Sequence, residues 1–296
     1  MSDEKIRQPE LVRDSSWLAG SDLIVIALGL LGQAFLAANL LRSDYGLLVV
    51  VIDAFALIFL LVDAGLPTII TRDIPRSPSE AKPLVLQSFK LQLFLCIIMA
   101  PIGLIIGFNM WPDASRLLLL SCAGIAILHV FTYAPRSALR ALGEARKEAV
   151  VKLIERFVTT SGYGILAYLG SSDPTNYAIV FFVGVLMSLL YALYAGSNLW
   201  NKFECETKPI SDSILLSDKD LIISALPFAI TLGIIPLIGR LEKILISWYH
   251  GTSEVAVFHV AFLAYLAGLT LPQAIRAALL PILGSCRGNK KEMMKE

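Results

Sequence analysis

The chain alternates between long apolar runs and short polar connections. Eight apolar runs are present, each bounded by charged residues, prolines or glycines, at residues 16–41, 46–70, 84–108, 115–133, 150–169, 177–199, 221–249 and 255–283. Each run is close to the roughly 20 residues that an α-helix needs to cross ~30 Å of hydrocarbon. Strands of a membrane barrel would be shorter and would alternate apolar with polar residues. The pattern therefore predicts an all-α integral membrane protein with about eight transmembrane helices.

Composition supports lipid as the solvent for most of the chain. Apolar residues make up 56% of the sequence, charged residues only 17%, and the mean hydropathy is +0.70. A soluble core with a polar surface would not show these values. The first run is too long for a secretory leader and lacks a small-residue cleavage signal, so we interpret it as a retained helix. The net charge of +1 gives no drive toward nucleic acid, and no such partner is expected.

Lysine and arginine are concentrated in alternate connections. They lie in the amino-terminal segment, in the second, fourth and sixth connections and in the tail: Lys5, Arg7, Arg13, Arg72, Arg76, Lys82, Arg136, Arg140, Arg146, Lys147, Lys152, Lys202, Lys208, Lys219, Arg287, Lys290, Lys291 and Lys295. The opposite connections hold little more than Arg42 and Arg116. Because short cytoplasmic loops retain positive charge, both termini and residues 200–220 are predicted to be cytoplasmic, with the protein in the cytoplasmic (inner) membrane.

The polar connection at residues 200–220 is the plausible internal boundary. It divides a predicted six-helix lobe, residues 1–199, from a helix pair at residues 221–296, with 200–220 as a cytoplasmic linker. Asp44-Tyr45-Gly46 and Glu254-Val255-Ala256 each open an even-numbered run after a short outer turn. This echo favours two parallel repeats, a layout common among transporters.

Three stretches resemble one family of transporters. They are residues 38–47, in which an acidic residue precedes Tyr45-Gly46; residues 63–72, which begin Asp63-Ala64-Gly65-Leu66 and end in arginine; and the segment from Arg240 to Phe258. In order and spacing they are similar to the polysaccharide-biosynthesis membrane proteins, the Wzx-type O-antigen and teichoic-acid flippases of the MOP (MATE-like) exporter superfamily.

The resemblance implies two six-helix lobes around a central cavity, with twelve or fourteen helices in all. We therefore expect this chain to comprise one six-helix lobe plus the first two helices of a second MATE-like lobe, and to be a partial chain that ends after helix eight. The implied function is a flippase that moves lipid-linked oligosaccharide across the cytoplasmic membrane for polysaccharide export. The implied partners are the lipid bilayer, a polyprenyl-linked oligosaccharide, and H+ or Na+ as coupling ion.

Charged residues inside the apolar runs are the best candidates for a site, because each costs about 2.5–3.5 kcal/mol at a helix centre unless it is paired or hydrated. Arg240 and Lys243 are three residues apart in the seventh run and share a helical face, whereas Glu242 projects elsewhere. Two interpretations stay open. The two cations bind the diphosphate or acidic sugars of the substrate, or they lie near the outer end of the helix and snorkel to lipid headgroups.

The carboxylates of the second run are candidates for a charge partner or for ion coupling. Asp53 lies deep in the run and needs a partner, and a structural pairing with a cation is favoured over proton or sodium coupling. We expect Asp53 to be the protein carboxylate nearest to Arg240 and Lys243 when substrate is absent. Asp63 is interpreted as part of a cap before Gly65 and Pro67, and Glu242 is a third candidate. Asp22, near the start of the first run, is expected in the headgroup zone.

Other chemistry has little support in the sequence. The four cysteines, Cys96, Cys122, Cys205 and Cys286, show no metal-ligand spacing, and no nucleotide-binding or hydrolase motif occurs. Neither a metal, a cofactor nor an enzymatic activity is expected. Two alternatives to a flippase remain: a cation-coupled multidrug exporter of the MATE type, which should have carboxylates and aromatic residues dominating its cavity, and a membrane-embedded polysaccharide polymerase or glycosyltransferase subunit.

Overall fold

The computed structural model describes residues 3–63, 65–206 and 217–285, and within these ranges the chain forms nine α-helices without a strand. The helices are α1 (Asp3–Asn39), α2 (Arg42–Asp63), α3 (Leu66–Asp73), α4 (Ala81–Met110), α5 (Arg116–Ala141), α6 (Ala145–Tyr168), α7 (Pro174–Glu206), α8 (Asp218–His250) and α9 (Thr252–Ser285). Seven of the eight predicted runs each coincide with one long helix, and the run at residues 46–70 is divided between α2 and α3. The predicted all-α class is therefore confirmed.

The prediction that residues 46–70 form one continuous helix is wrong. Helix α2 ends at Asp63, and Gly65 then adopts a left-handed backbone conformation with φ 73° before the short helix α3 begins. A Cβ atom at Gly65 would also lie 2.8 Å from the backbone oxygen of Ala225 in α8. Only glycine satisfies both the backbone angle and the close helix contact. Apolar periodicity alone did not reveal this break.

Not every long helix is equally apolar. In the described residues, five segments are long and apolar enough to cross a membrane: Gly20–Asn39, Arg42–Asp63, Pro78–Met110, Arg116–Ala141 and Pro174–Trp200. Helix α8 would cross as two halves, Asp218–Thr231 and Pro236–His250, which are inclined by 62° at a break flanked by Pro236. Helix α6 does not qualify because its first half carries six charged residues. These charges matter for the site described below.

Helix α2 is the centre of the packing. It contacts α4, α5, α8 and α9. Extensive contacts also join α1 to α6, α6 to α7 and α7 to α5. Phe55 and Phe59 of α2 are almost completely buried in the main apolar core. Helices α1 and α2 barely touch each other. The space between them opens into a cavity, and the division into a six-helix lobe and a helix pair stays a prediction.

The contact between α2 and α9 depends on Gly46. A Cβ atom built at this residue would lie 1.8 Å from the backbone oxygen of Thr252 and 3.1 Å from the backbone nitrogen of Ala256. Because both neighbours are backbone atoms, a side chain cannot be accommodated by a rotamer change. Small residues at such positions let two membrane helices approach closely.

Replacing Gly46 with alanine should separate α2 from α9 and lower the thermal unfolding midpoint of the detergent-solubilised protein, with a loss of about 1–3 kcal/mol as for other overpacked contacts. The control is Gly239→Ala in α8, where nothing lies within 4 Å of the new Cβ atom. Equal unfolding midpoints for the two variants would contradict the close packing of α2 on α9.

Candidate functional site

A cavity of about 540 Å³ lies inside the bundle. Its walls come from α1, α2, α5 and α6, with single contributions from α7, α8 and α9. Ionisable side chains from six of these helices line it: Asp22, Asp53, His129, Arg136, Lys152, Glu155, Arg156, Arg240 and His259. Charged side chains inside a membrane bundle are costly in free energy, and where they occur they usually mark the path of a substrate or an ion. The cavity is therefore the candidate site.

Asp53 joins α2 to α8 through two cations. The Nζ atom of Lys243 donates a hydrogen bond to Oδ2 of Asp53 at 2.6 Å. The Nε atom of Arg240 lies 3.8 Å from Oδ1, beyond hydrogen-bond distance, and its Nη1 donates to the backbone oxygen of Ala56 at 2.9 Å. Arg240 and Lys243 thus lie on one face of α8, as their spacing predicted, and that face meets the middle of α2.

Lys243 does not snorkel. Its side chain is almost completely buried, with 5% of the residue exposed, and its ammonium lies 5.3 Å from the ring centre of Phe262 in α9. Arg240 is half-buried and lines the cavity. For Lys243 the headgroup alternative is therefore wrong, because the side chain turns inward to a carboxylate and an aromatic face.

The other predicted carboxylates lie apart from this pair. Glu242 is exposed and does not line the cavity. Asp63 does not cap α3, because the position before that helix is Gly65 and no side chain caps it. The Oδ1 atom of Asp63 is buried without a hydrogen-bond partner in the described residues. Asp22 does line the cavity and forms an ion pair of 2.8 Å with Lys152, a contact that the expectation of a headgroup location missed.

Sequence reasoning also missed the contribution of α6. Its cavity-lining residues are Lys152, Glu155, Arg156, Thr159, Thr160 and Tyr163. They follow the spacing i, i+3, i+4, i+7, i+8, i+11, which places them on one face of a helix. The signal was present as a polar stripe on a membrane helix. It was overlooked because Lys152 was counted only as a positive charge of a cytoplasmic connection.

Polar side-chain contacts hold the wall formed by α5 and α6. His129 lies 3.3 Å from Glu155, which is buried, and its ring packs against Tyr133 and Phe181. Next to the cavity, the fully buried Glu148 accepts two hydrogen bonds from Arg140 and lies 3.8 Å from Arg136. The Nε atom of Arg136 is nevertheless buried without a partner in the described residues. This wall retains donor capacity that no described group uses.

The charges of the cavity wall do not balance. Four basic side chains, Arg136, Lys152, Arg156 and Arg240, face three carboxylates, Asp22, Asp53 and Glu155. Behind the wall, Lys243 adds a positive charge next to Asp53, and the ion pair of Arg140 with Glu148 adds one charge of each sign, with Glu148 3.8 Å from both Arg136 and Lys152. Since a low-dielectric environment strengthens electrostatic attraction, an anion is the ligand that this wall fits best. Among the described residues, no group of three histidine, cysteine or acidic side chains could hold a metal ion.

The chain is a multi-pass membrane protein in which a bundle of helices surrounds a charged cavity. Its fold is that of MOP-superfamily transporters. A multidrug resistance MATE family transporter of that superfamily in its outward-facing conformation shares it with a TM-score of 0.63 at 15% identity, over 95% of this chain and 65% of that one. A MOP transporter from Pyrococcus furiosus Vc1 (DSM3638), whose pocket of reversed polarity is said to suggest a different function, gives 0.64 at 16% identity over 95% and 65%. A MATE protein in complex with Br-NRF gives 0.58 at 18% identity over 96% and 69%.

The chain belongs to the polysaccharide biosynthesis protein family, whose model matches residues 11–286. The family predicted from three short stretches is thereby confirmed over nearly the whole chain. No curated protein matches it. The chain spans 65% of the length of the first two transporters of similar fold.

The Asp53 cluster predicts an unequal effect of its members on stability. Asp53→Asn leaves the buried Lys243 and the half-buried Arg240 without a carboxylate and should lower stability by about 3–5 kcal/mol, the usual effect of breaking a buried pair. Lys243→Met should cost less, because Arg240 is still close to Asp53. The double variant Asp53→Asn/Lys243→Met should unfold at a higher temperature than Asp53→Asn alone. The unfolding midpoints of the three purified variants check this order, and a Lys243→Met protein less stable than Asp53→Asn would refute it.

Proposed function

We propose that this protein is a flippase that moves polyprenyl-linked oligosaccharide across the cytoplasmic membrane for polysaccharide export, by transport and without catalysis. The observation that carries the proposal is the excess of basic over acidic side chains in the wall of a cavity inside the membrane bundle. Family membership supports the link to polysaccharide synthesis, and the fold supports transport. The substrate is the part that needs its own experiment.

The chemistry of the cavity fits the charged part of such a substrate. A lipid-linked oligosaccharide carries its negative charge on the phosphate groups between lipid and sugar, and arginine and lysine are the residues that bind phosphate oxygens. Arg240 offers a guanidinium that makes one hydrogen bond, to Ala56, among those seen in the described residues. A volume of about 540 Å³ is also within the range of about 300–1,000 Å³ that small-ligand pockets occupy. The diphosphate and its first sugars would therefore fit this cavity.

A cation-coupled multidrug exporter is the second candidate, because the solved structures of similar fold include MATE transporters. Such a function calls for a cavity dominated by carboxylates and aromatic rings. Here the cations outnumber the carboxylates. The tyrosine and phenylalanine side chains that line the cavity are Tyr133, Tyr163 and Phe181. The balance of charge favours an anionic substrate over a cationic drug.

Arg240 provides the first test. In proteoliposomes loaded with a polyprenyl-diphosphate oligosaccharide, Arg240→Ala should abolish movement of the substrate to the opposite leaflet, measured as sugar that becomes accessible to an impermeant oxidant. Arg240→Lys should restore only part of the flux, since the bidentate guanidinium is lost. Arg116→Ala, an exposed arginine outside the cavity, is the matched control. Wild-type flux in Arg240→Ala would eliminate Arg240 as a substrate-binding residue.

A second pair of variants in the same assay tests the cavity itself. Gly29 lines the cavity, and a Cβ atom there would meet nothing within 4 Å. Gly29→Leu should therefore fill the cavity without disturbing the fold and should block flux. Gly20→Leu in the same helix also has open space but lies outside the cavity, and it should transport normally.

If wild-type protein moves cationic dyes and leaves the oligosaccharide in place, the exporter alternative replaces the flippase.

The location in the cytoplasmic membrane, with both termini on the cytoplasmic side, is part of the proposal and rests on the distribution of basic residues. Cys205 follows the last apolar turns of α7 and should be on the cytoplasmic side. In a variant with Cys205 as its single cysteine, an impermeant maleimide should label the protein only after the cells are permeabilised. Tyr249→Cys in the same background should be labelled in intact cells. Labelling of Cys205 from outside would reverse the orientation.

A further inference from the structure

We propose that Asp53 is a built-in competitor of the anionic substrate: it occupies the anion-binding position formed by Arg240 and Lys243, and the substrate must displace it, which releases α8 from α2. This inference rests on the proposed function, because it describes how the same site takes its ligand. It assigns to Asp53 a positioning role in place of a direct contact with the substrate.

The arrangement of the three side chains carries the proposal. Asp53 and Arg240 line the cavity, but Lys243 does not; its ammonium is covered by the Asp53 carboxylate at 2.6 Å on one side and by the Phe262 ring on another. A ligand in the cavity therefore reaches the Lys243 charge only when Asp53 moves away. The carboxylate presents two oxygens to the two cations, as a phosphate group would.

The local charge explains why an anionic ligand would win this competition. One carboxylate faces two cations, so the cluster keeps a net positive charge inside the membrane. Arg240 is also poorly satisfied by Asp53, because 3.8 Å is too long for a hydrogen bond. A diphosphate carries at least two negative charges and more acceptor oxygens. It would neutralise both cations, and Arg136 and Arg156, which line the same cavity, would contribute further attraction that offsets the loss of the pair.

Displacement has a structural consequence, since the pair connects two helices. Asp53 belongs to α2, the helix at the centre of the packing, and Lys243 belongs to α8. When the substrate takes over the cations, this link between α2 and α8 is lost, and when the substrate leaves, Asp53 restores it. Substrate occupancy and the contact between the two helices are thus coupled through one carboxylate.

Binding of inorganic diphosphate to the purified protein tests the competition without requiring transport. Loss of the competitor should raise affinity, so Asp53→Asn should bind diphosphate about tenfold more tightly than wild type, equivalent to ~1.4 kcal/mol. The ligand should also raise the unfolding midpoint of Asp53→Asn more than that of the wild type. Asp53→Glu, which keeps the charge, should bind as the wild type does. In Asp53→Asn/Lys243→Met the gain should disappear, because the second cation is gone.

A control separates a specific competitor from a general effect of negative charge. Asp22 also lines the cavity and pairs with Lys152 at 2.8 Å, but its side chain is 54% exposed, so water already screens the pair. Asp22→Asn should therefore raise the affinity for diphosphate by only about twofold. Equal gains for Asp22→Asn and Asp53→Asn, or no gain for Asp53→Asn, would overturn the proposal.

A cross-linking measurement keeps the proposal testable if Asp53→Asn does not fold. A Cβ atom at Gly233 in α8 would lie 3.9 Å from Cγ of Leu60 in α2, the position that the sulfur of a cysteine would take. Leu60→Cys/Gly233→Cys, with Asp53 intact and the native cysteines replaced, should form a disulfide under mild oxidation, and diphosphate should slow its formation several-fold. An unchanged rate with bound diphosphate would contradict the release of α8. Normal flux without these effects would refute the inference alone, whereas these effects without any oligosaccharide flux would refute the flippase alone.

Discussion

The structure depends on the requirement that every charged side chain inside a membrane bundle has a partner. The ion pair between Asp53 and Lys243 meets this requirement. Each of these side chains would cost a few kcal/mol in hydrocarbon if it stood alone. At 2.6 Å they satisfy each other, and the Phe262 ring covers the ammonium. Because the two partners sit on α2 and α8, the need for neutrality fixes how these helices meet. Packing, stability and the proposed site share this one constraint.

The cavity also follows from the need to keep polar side chains away from lipid. Helix α6 carries its polar residues on one face, from Lys152 to Tyr163, and that face cannot contact lipid. It turns inward, toward a space that exists because α1 and α2 hardly touch. The least apolar of the long helices thus provides the most polar wall of the cavity. An inward polar stripe of this kind is the reverse of the pattern that a surface helix of a soluble protein shows.

Glycines at or next to the ends of α2 allow close contacts with both α8 and α9. Gly46 brings the backbone of α9 against its first turns, and Gly65 brings α8 against its end. Between these two contacts, Asp53 faces the cavity and the cations of α8. The glycines hold the ends of α2 while the ion pair occupies its middle. The ion pair is thus the contact between α2 and α8 that a ligand in the cavity can reach and break, which is the basis of the proposed competition.

The sequence by itself determined the membrane class, the eight long helices and the family, because apolar runs of helical length have few other solutions in lipid. It also predicted Arg240, Lys243 and Asp53 as intramembrane charges that need partners. The sequence also indicated Asp53 as the carboxylate nearest to the two cations. Tertiary structure alone decided the geometry of that contact, the position of Asp22 in a cavity with Lys152, and the separation of Glu242 and Asp63 from the pair. The break at Gly65 likewise depends on the approach of α8. Periodicity specifies which face a residue occupies, but only the packing of one helix on another specifies what that face meets.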